Sequence, residues 1–113
     1  MKKTIFVALL SISSLSFAES KEADCEALVV ATDLLMTMHQ LGNDIEDSKS
    51  TYTNQFKEES AVFIQIIDEA KTFPVYADET QPETYDEAKA EQVLEAFNQD
   101  WKRRCLAGDV PKS

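Results

Sequence analysis

His39 is the only histidine in the chain, and most acid–base, nucleophilic or metal chemistry would have to recruit it. It has no Glu-x-x-His or His-x-x-x-His company, the spacing that sets two ligands on one helical face for zinc. Met36 and Met38 lie close to it in sequence and could in principle offer thioethers to copper or haem. Methionines on adjacent turns at core spacing, however, read first as packing. Carboxylates cluster at Asp44 to Asp47, Glu58-Glu59, Asp78-Glu79 and Glu83 to Glu87. None of these runs has the alternating oxygen ligands and central glycine of a calcium loop. A general acid–base pair needs two carboxyls in contrasting environments, one of them desolvated, and every cluster here sits in polar sequence. No Gly-x-Ser-x-Gly elbow presents a serine nucleophile. The expectation is a protein that is not an enzyme and that uses neither metal nor cofactor.

Cys25 and Cys105 are the only cysteines. There is no Cys-x-x-Cys, which argues against thiol–disulfide exchange and covalent haem attachment. A structural disulfide is the remaining role, and it requires an oxidising compartment. Residues 1–18 supply that context. Met1-Lys2-Lys3 is basic, Thr4 to Phe17 is mostly apolar or small, and Ser16-Phe17-Ala18 ends in small residues suited to cleavage. This pattern predicts a secretory signal peptide, too short to span a bilayer and followed by the charged Glu19-Ser20-Lys21-Glu22. The expected product is a periplasmic, single-domain protein of residues 19–113, with no membrane insertion once the leader is cleaved.

The full chain carries a net charge of −10, and loss of Lys2 and Lys3 with the leader makes the remainder more acidic still. Nucleic acid and anionic headgroups both need clustered Lys and Arg, so neither is an expected partner. A basic protein would be attracted and its encounter accelerated.

The elements that position these residues are helical. The chain has two glycines, three prolines and no alternating stretch long enough for a strand. The fold class expected is all-α, a small three- or four-helix bundle stapled by Cys25–Cys105. The first helix is predicted over residues 21–41, ending at Gly42-Asn43. Leu28, Val30, Ala31, Leu34, Leu35, Met38 and Leu41 form its wide apolar arc, predicted to face the core. Val29 and Met36, with Cys25 beside them, make a second stripe, predicted as a homodimer contact. The second helix is predicted over residues 44–72, with a weak, Ser- and Thr-rich stretch at 48–53 where it begins late or bends. The third starts in a predicted capping box, Thr84 with Glu87, and ends at Gly108 behind Lys102, Arg103 and Arg104. Ala90, Val93, Leu94, Phe97, Trp101 and Cys105 form its narrow apolar stripe.

Residues 73–82, with two prolines, connect the second and third helices and are long for a small bundle. In a three-helix up-down-up bundle the two cysteines would sit at opposite ends, about 25–30 Å apart at 1.5 Å per residue, whereas a disulfide needs Cα atoms within about 7 Å. The segment could return along the bundle and make the third helix antiparallel to the first. The rival solution pairs the cysteines between chains. The same segment offers Tyr76, Asp78 and Glu79, an aromatic anchor flanked by acids and suited to a basic cleft.

These features lead to an expectation of partner binding. The most concrete version is an immunity or inhibitor protein that neutralises a basic peptidoglycan hydrolase, lysozyme-like enzyme or cell-wall-degrading toxin by occluding its cleft. An acid- or stress-activated periplasmic chaperone and a structural adaptor of an envelope complex are the alternatives.

Overall fold

The computed structural model describes residues 22–111, so the predicted signal peptide lies outside the described residues. Within them the fold is all-α, without a strand, and closed by a Cys25–Cys105 disulfide within the chain whose Cα atoms are 5.7 Å apart. Among the described residues no helix is long and apolar enough to cross a membrane.

Helix α1 covers residues 22–40 and terminates at Gly42, whose φ of +88° lets the Asn43 amide reach back to the Met38 carbonyl at 3.0 Å. The predicted second helix is broken. Helix α2 spans Ser48–Phe56, a 3-10 turn spans Lys57–Ser60, and helix α3 spans Ala61–Ala70. The break turns the chain back on itself. Lys49 pairs with Asp68 at 2.7 Å, Glu46 pairs with Lys71, and Tyr52 stacks on Phe63 with ring centroids 4.6 Å apart. In one straight helix Tyr52 and Phe63 would be about 16 Å apart. Helix α4 spans Glu87–Ala107 and ends at Gly108, whose φ is +76°.

This hairpin replaces the predicted crossover. The helices run up, down, up and down, so α4 is antiparallel to α1 without a strap along the bundle, and Cys25 meets Cys105 directly. Thr32, wholly buried, donates its hydroxyl to Asn98 Oδ1 at 2.7 Å, and Lys102 pairs with Glu26 at 2.6 Å, fixing the α1–α4 register. Helices α1, α3 and α4 enclose the core, while α2 buries no residue fully and buttresses α3. The core is Leu28, Leu35, Met36, Ile45, Ile66, Ile67, Ala70, Phe97 and Trp101. Arg104 lies 3.8 Å over the Trp101 ring and makes two hydrogen bonds to Glu69, at 3.1 and 2.6 Å. A planar guanidinium suits this dual role of stacking and fork-like pairing.

The two apolar stripes of α1 are partly exchanged relative to expectation. Met36, predicted at a homodimer contact, is wholly buried in the chain's own core, and Val29 is half-buried. Val30, Leu34 and Leu41, predicted inside, are exposed. The physical reason is the disulfide. The face of α1 that carries Cys25 must meet α4, and Leu28, Thr32, Leu35, Met36 and Gln40 turn inward with it.

Candidate functional site

The site is the acidic loop at the end of the bundle opposite the disulfide. Its foundation is the last turn of α1. Gln40 is 3% exposed and uses most of its polar capacity on the segment that follows α3. Its Nε2 donates to the Pro74 carbonyl at 2.8 Å, and its Oε1 accepts from the Tyr76 amide at 2.8 Å. The Gln40 carbonyl also accepts from the Ala77 amide at 3.0 Å. His39 Nε2 lies 2.7 Å from the Phe73 carbonyl. A carbonyl only accepts, so this nitrogen carries the proton and the imidazole serves as a clamp. Residues 73–77 therefore lie across the end of the bundle and do not run along its length.

Beyond this point the chain leaves the surface and returns. The Asp86 amide donates to the Tyr76 carbonyl at 2.6 Å, pinching residues 77–85 into a closed loop of the Ω type. Two successive turns shape it, the Gln81 amide donating to the Asp78 carbonyl at 3.0 Å and the Thr84 amide to the Gln81 carbonyl at 3.2 Å. Asp78 Oδ1 accepts from the Thr80 amide at 2.9 Å and from the Thr80 hydroxyl at 2.6 Å. The Thr80 hydroxyl and then its amide hold the Asp78 carboxyl below its ordinary pKa. The loop ends where Asp86 caps α4, its carboxylate accepting from the Lys89 amide at 3.1 Å. Asp86 takes the role predicted for Thr84, and α4 begins later than the Thr84–Glu87 box implied.

The three predicted partner-binding residues fall in different places. Tyr76 is half-buried at the base, with Lys89 Nζ 5.6 Å from its ring centroid. Asp78 is half-buried and builds the turn. Glu79 is exposed on the outer part of the loop. No family model matches the chain, and no curated protein or solved structure matches it.

The loop presents Glu79, Thr80, Gln81, Pro82, Glu83, Thr84 and Tyr85 to solvent in unbroken succession. Glu79, Pro82 and Tyr85 line one shallow depression, with Tyr85 40% exposed. Tyr85 and Glu83 were missed as site residues because the predicted capping box assigned both to the start of a helix. Beside the loop, a pocket of about 280 Å³ with a mixed lining includes His39, Asp44, Lys71 and Asp78 together with Ile45 and Val75. Among the described residues no group of three His, Cys, Asp or Glu side chains is placed to hold a metal ion. The arrangement is suited to recognition: a carboxylate-bearing tip with one exposed aromatic ring, on a base fixed by the hydrogen bonds of the buried Gln40.

Proposed function

We propose that this is an exported partner-binding protein, an immunity or inhibitor protein that neutralises a basic cell-wall-degrading or lysozyme-like enzyme by lodging the 77–85 loop in its cleft. The observation that carries the reading is the closure of the loop by the Tyr76 carbonyl and the Asp86 amide over a base stitched to Gln40. A loop held in one conformation before binding loses less entropy when it docks. Its carboxylates complement a basic cleft, and an overall charge of −10 accelerates the encounter. Tyr85 is the ring available as an anchor, a role that aromatic residues fill disproportionately in interfaces.

The test is inhibition of bacterial cell-wall lysis by a panel of basic hydrolases, with titration calorimetry for any enzyme inhibited. A one-to-one complex with at least one hydrolase is expected, together with a loss of at least tenfold in affinity for the combined variant E79K, E83K, Y85A. Unchanged inhibition by that variant, or no inhibition across the panel, would sink the proposal.

A further inference from the structure

The outward face of α1 carries more apolar surface than an isolated bundle requires. Val30, Leu34 and Leu41 are 68%, 52% and 54% exposed. With Ala27 and Thr37 they recur at alternating intervals of three and four residues, the spacing of a seam that packs against another helix. From Val30 to Leu41 the stripe extends for about 16 Å, three turns. On its α4 side it borders a groove of about 150 Å³ between the two helices, lined by Thr37, Leu41, Ala90 and Leu94 and by the carboxylates Glu87 and Glu91. Ala77, at the base of the loop, closes one end.

Charge distinguishes the possible occupants. Neither Glu87 nor Glu91 is in an ion pair among the described residues, and Asp33 accepts a hydrogen bond from the neutral Asn98 amide at 2.8 Å. The lysines of α4 are already engaged, Lys89 with the Tyr76 ring and Lys102 with Glu26. The rim is therefore acidic along an apolar floor. A second copy would bring these carboxylates against their own kind, in a chain of net charge −10. From this face we infer a docking site for a basic amphipathic helix, one whose apolar residues repeat every three or four positions and are flanked by Lys or Arg. The docking mode is helix-in-groove, with Leu34 and Leu41 meeting the partner's apolar residues and Glu87 and Glu91 its cations. This surface is separate from the tip of the 77–85 loop and does not depend on the inhibitor reading.

Two synthetic 18-residue helices test the inference against the oxidised protein recovered after expression of the full chain. Both carry leucines at the same three- and four-residue intervals; one has lysines elsewhere and the other glutamates. Titration followed by amide NMR is expected to show the lysine peptide perturbing residues 30–41 and 87–94, at least tenfold more tightly than the glutamate peptide. Leu34→Ser with Leu41→Ser should weaken that binding at least tenfold. Glu87→Lys with Glu91→Lys should reverse the preference between the peptides, and it keeps the test independent should the leucine variant fail to fold. Equal binding of both peptides, perturbations centred on another surface, or a dimer that buries residues 30–41 without either peptide would overturn the assignment.

Discussion

The Gln40 carboxamide oxygen lies 2.8 Å from the backbone nitrogen of Tyr76 and supplies the acceptor that joins the end of α1 to the base of the acidic loop. Because Gln40 also binds the Pro74 carbonyl through its Nε2, one buried side chain satisfies a donor and an acceptor on an irregular segment. Replacing it with leucine leaves both backbone groups without their partner. We expect Gln40→Leu to cost about 2 kcal/mol, the lower end of 1–3 kcal/mol for each of the two groups because both contacts are only partly buried. Urea unfolding would give that loss, and hydrogen exchange at Tyr76 and Ala77 should accelerate more than exchange in α4.

Gly42 is a second point of control over the loop. Its φ of +88° is unfavourable for an L side chain, and a Cβ there would collide with the Asp78 carboxylate. Gly42→Ala should destabilise the fold by about 1–3 kcal/mol and displace the turn that Asp78 forms with Thr80. Thermal unfolding measures the first effect and NMR shifts at residues 78–81 the second. An alanine variant with wild-type stability and shifts would contradict this account.

Lys57 carries backbone strain at the α2–α3 reversal, with φ 53° and ψ −109°. Glycine adopts such a conformation readily, although it also loses more entropy on folding. The net expectation for Lys57→Gly is a gain of about 0.5–1 kcal/mol, read as an increase in the urea midpoint at constant slope. A loss would mean that the hairpin is held by the lysine side chain.

The disulfide joins residues separated by 80 positions. In the chain-entropy model a loop of that length contributes about 4–5 kcal/mol. For a domain of ordinary stability, about 5–15 kcal/mol, the double variant Cys25→Ala, Cys105→Ala should be marginal. Guanidinium unfolding of the variant and the oxidised protein gives the difference, and equal midpoints would contradict the expectation.

Glu69 sets a direction for the pH dependence. Burial pushes its carboxyl up, but the hydrogen bonds from Arg104 and Gln65 and the charge of Arg104 outweigh this, leaving it below its ordinary value of 4.5. A carboxyl with a depressed pKa in the folded state contributes stability that is fully present above its unfolded value and lost as pH falls through the folded value. Asp78, held down by Thr80, acts in the same direction. Stability should therefore fall below about pH 4.5, and Glu69→Gln should flatten that acid limb while lowering stability at neutral pH by about 1–2 kcal/mol, a figure reduced for partial solvent exposure. Unfolding midpoints across pH 2.5–7 provide the check.

The helical class, the extent of α1 and the Gly108 stop of α4 were legible, since each rests on periodicity or glycine conformation; cysteine arithmetic gave the Cys25–Cys105 pair but left open whether it closes within one chain. The reversal at Lys57 was not. Lysine is an unusual residue at positive φ, and Ile45, Tyr52, Phe56 and Phe63 fit one face of a continuous helix as well as they fit a hairpin that stacks the rings. An indirect clue existed: a broken helix solves the placement of the cysteines as well as a crossover does. The two stripes of α1 were ambiguous because the buried face includes Thr32 and Gln40 while the exposed one includes Val30 and Leu34, so hydropathy alone favours the wrong side. Cys25 was the residue that could have decided between them. At the loop, Glu79 could be read from composition, whereas the exposure of Tyr85 depends on Asp86 taking the cap.

The Cys25–Cys105 bridge also determines how the molecule bears tension. Pulling on the polypeptide upstream of Cys25 and downstream of Cys105 loads a covalent link and leaves the 80-residue separation between them slack. The bundle and its loop are then mechanically shunted: a force applied through the flanking chain cannot extend them until the sulfurs are reduced. Anything tethered to either flank departs from the pole opposite the loop, about 22 Å of helix away from Gln40. In a single-molecule stretching experiment the oxidised domain should behave as an inextensible knot, and reduction should release its length in one step.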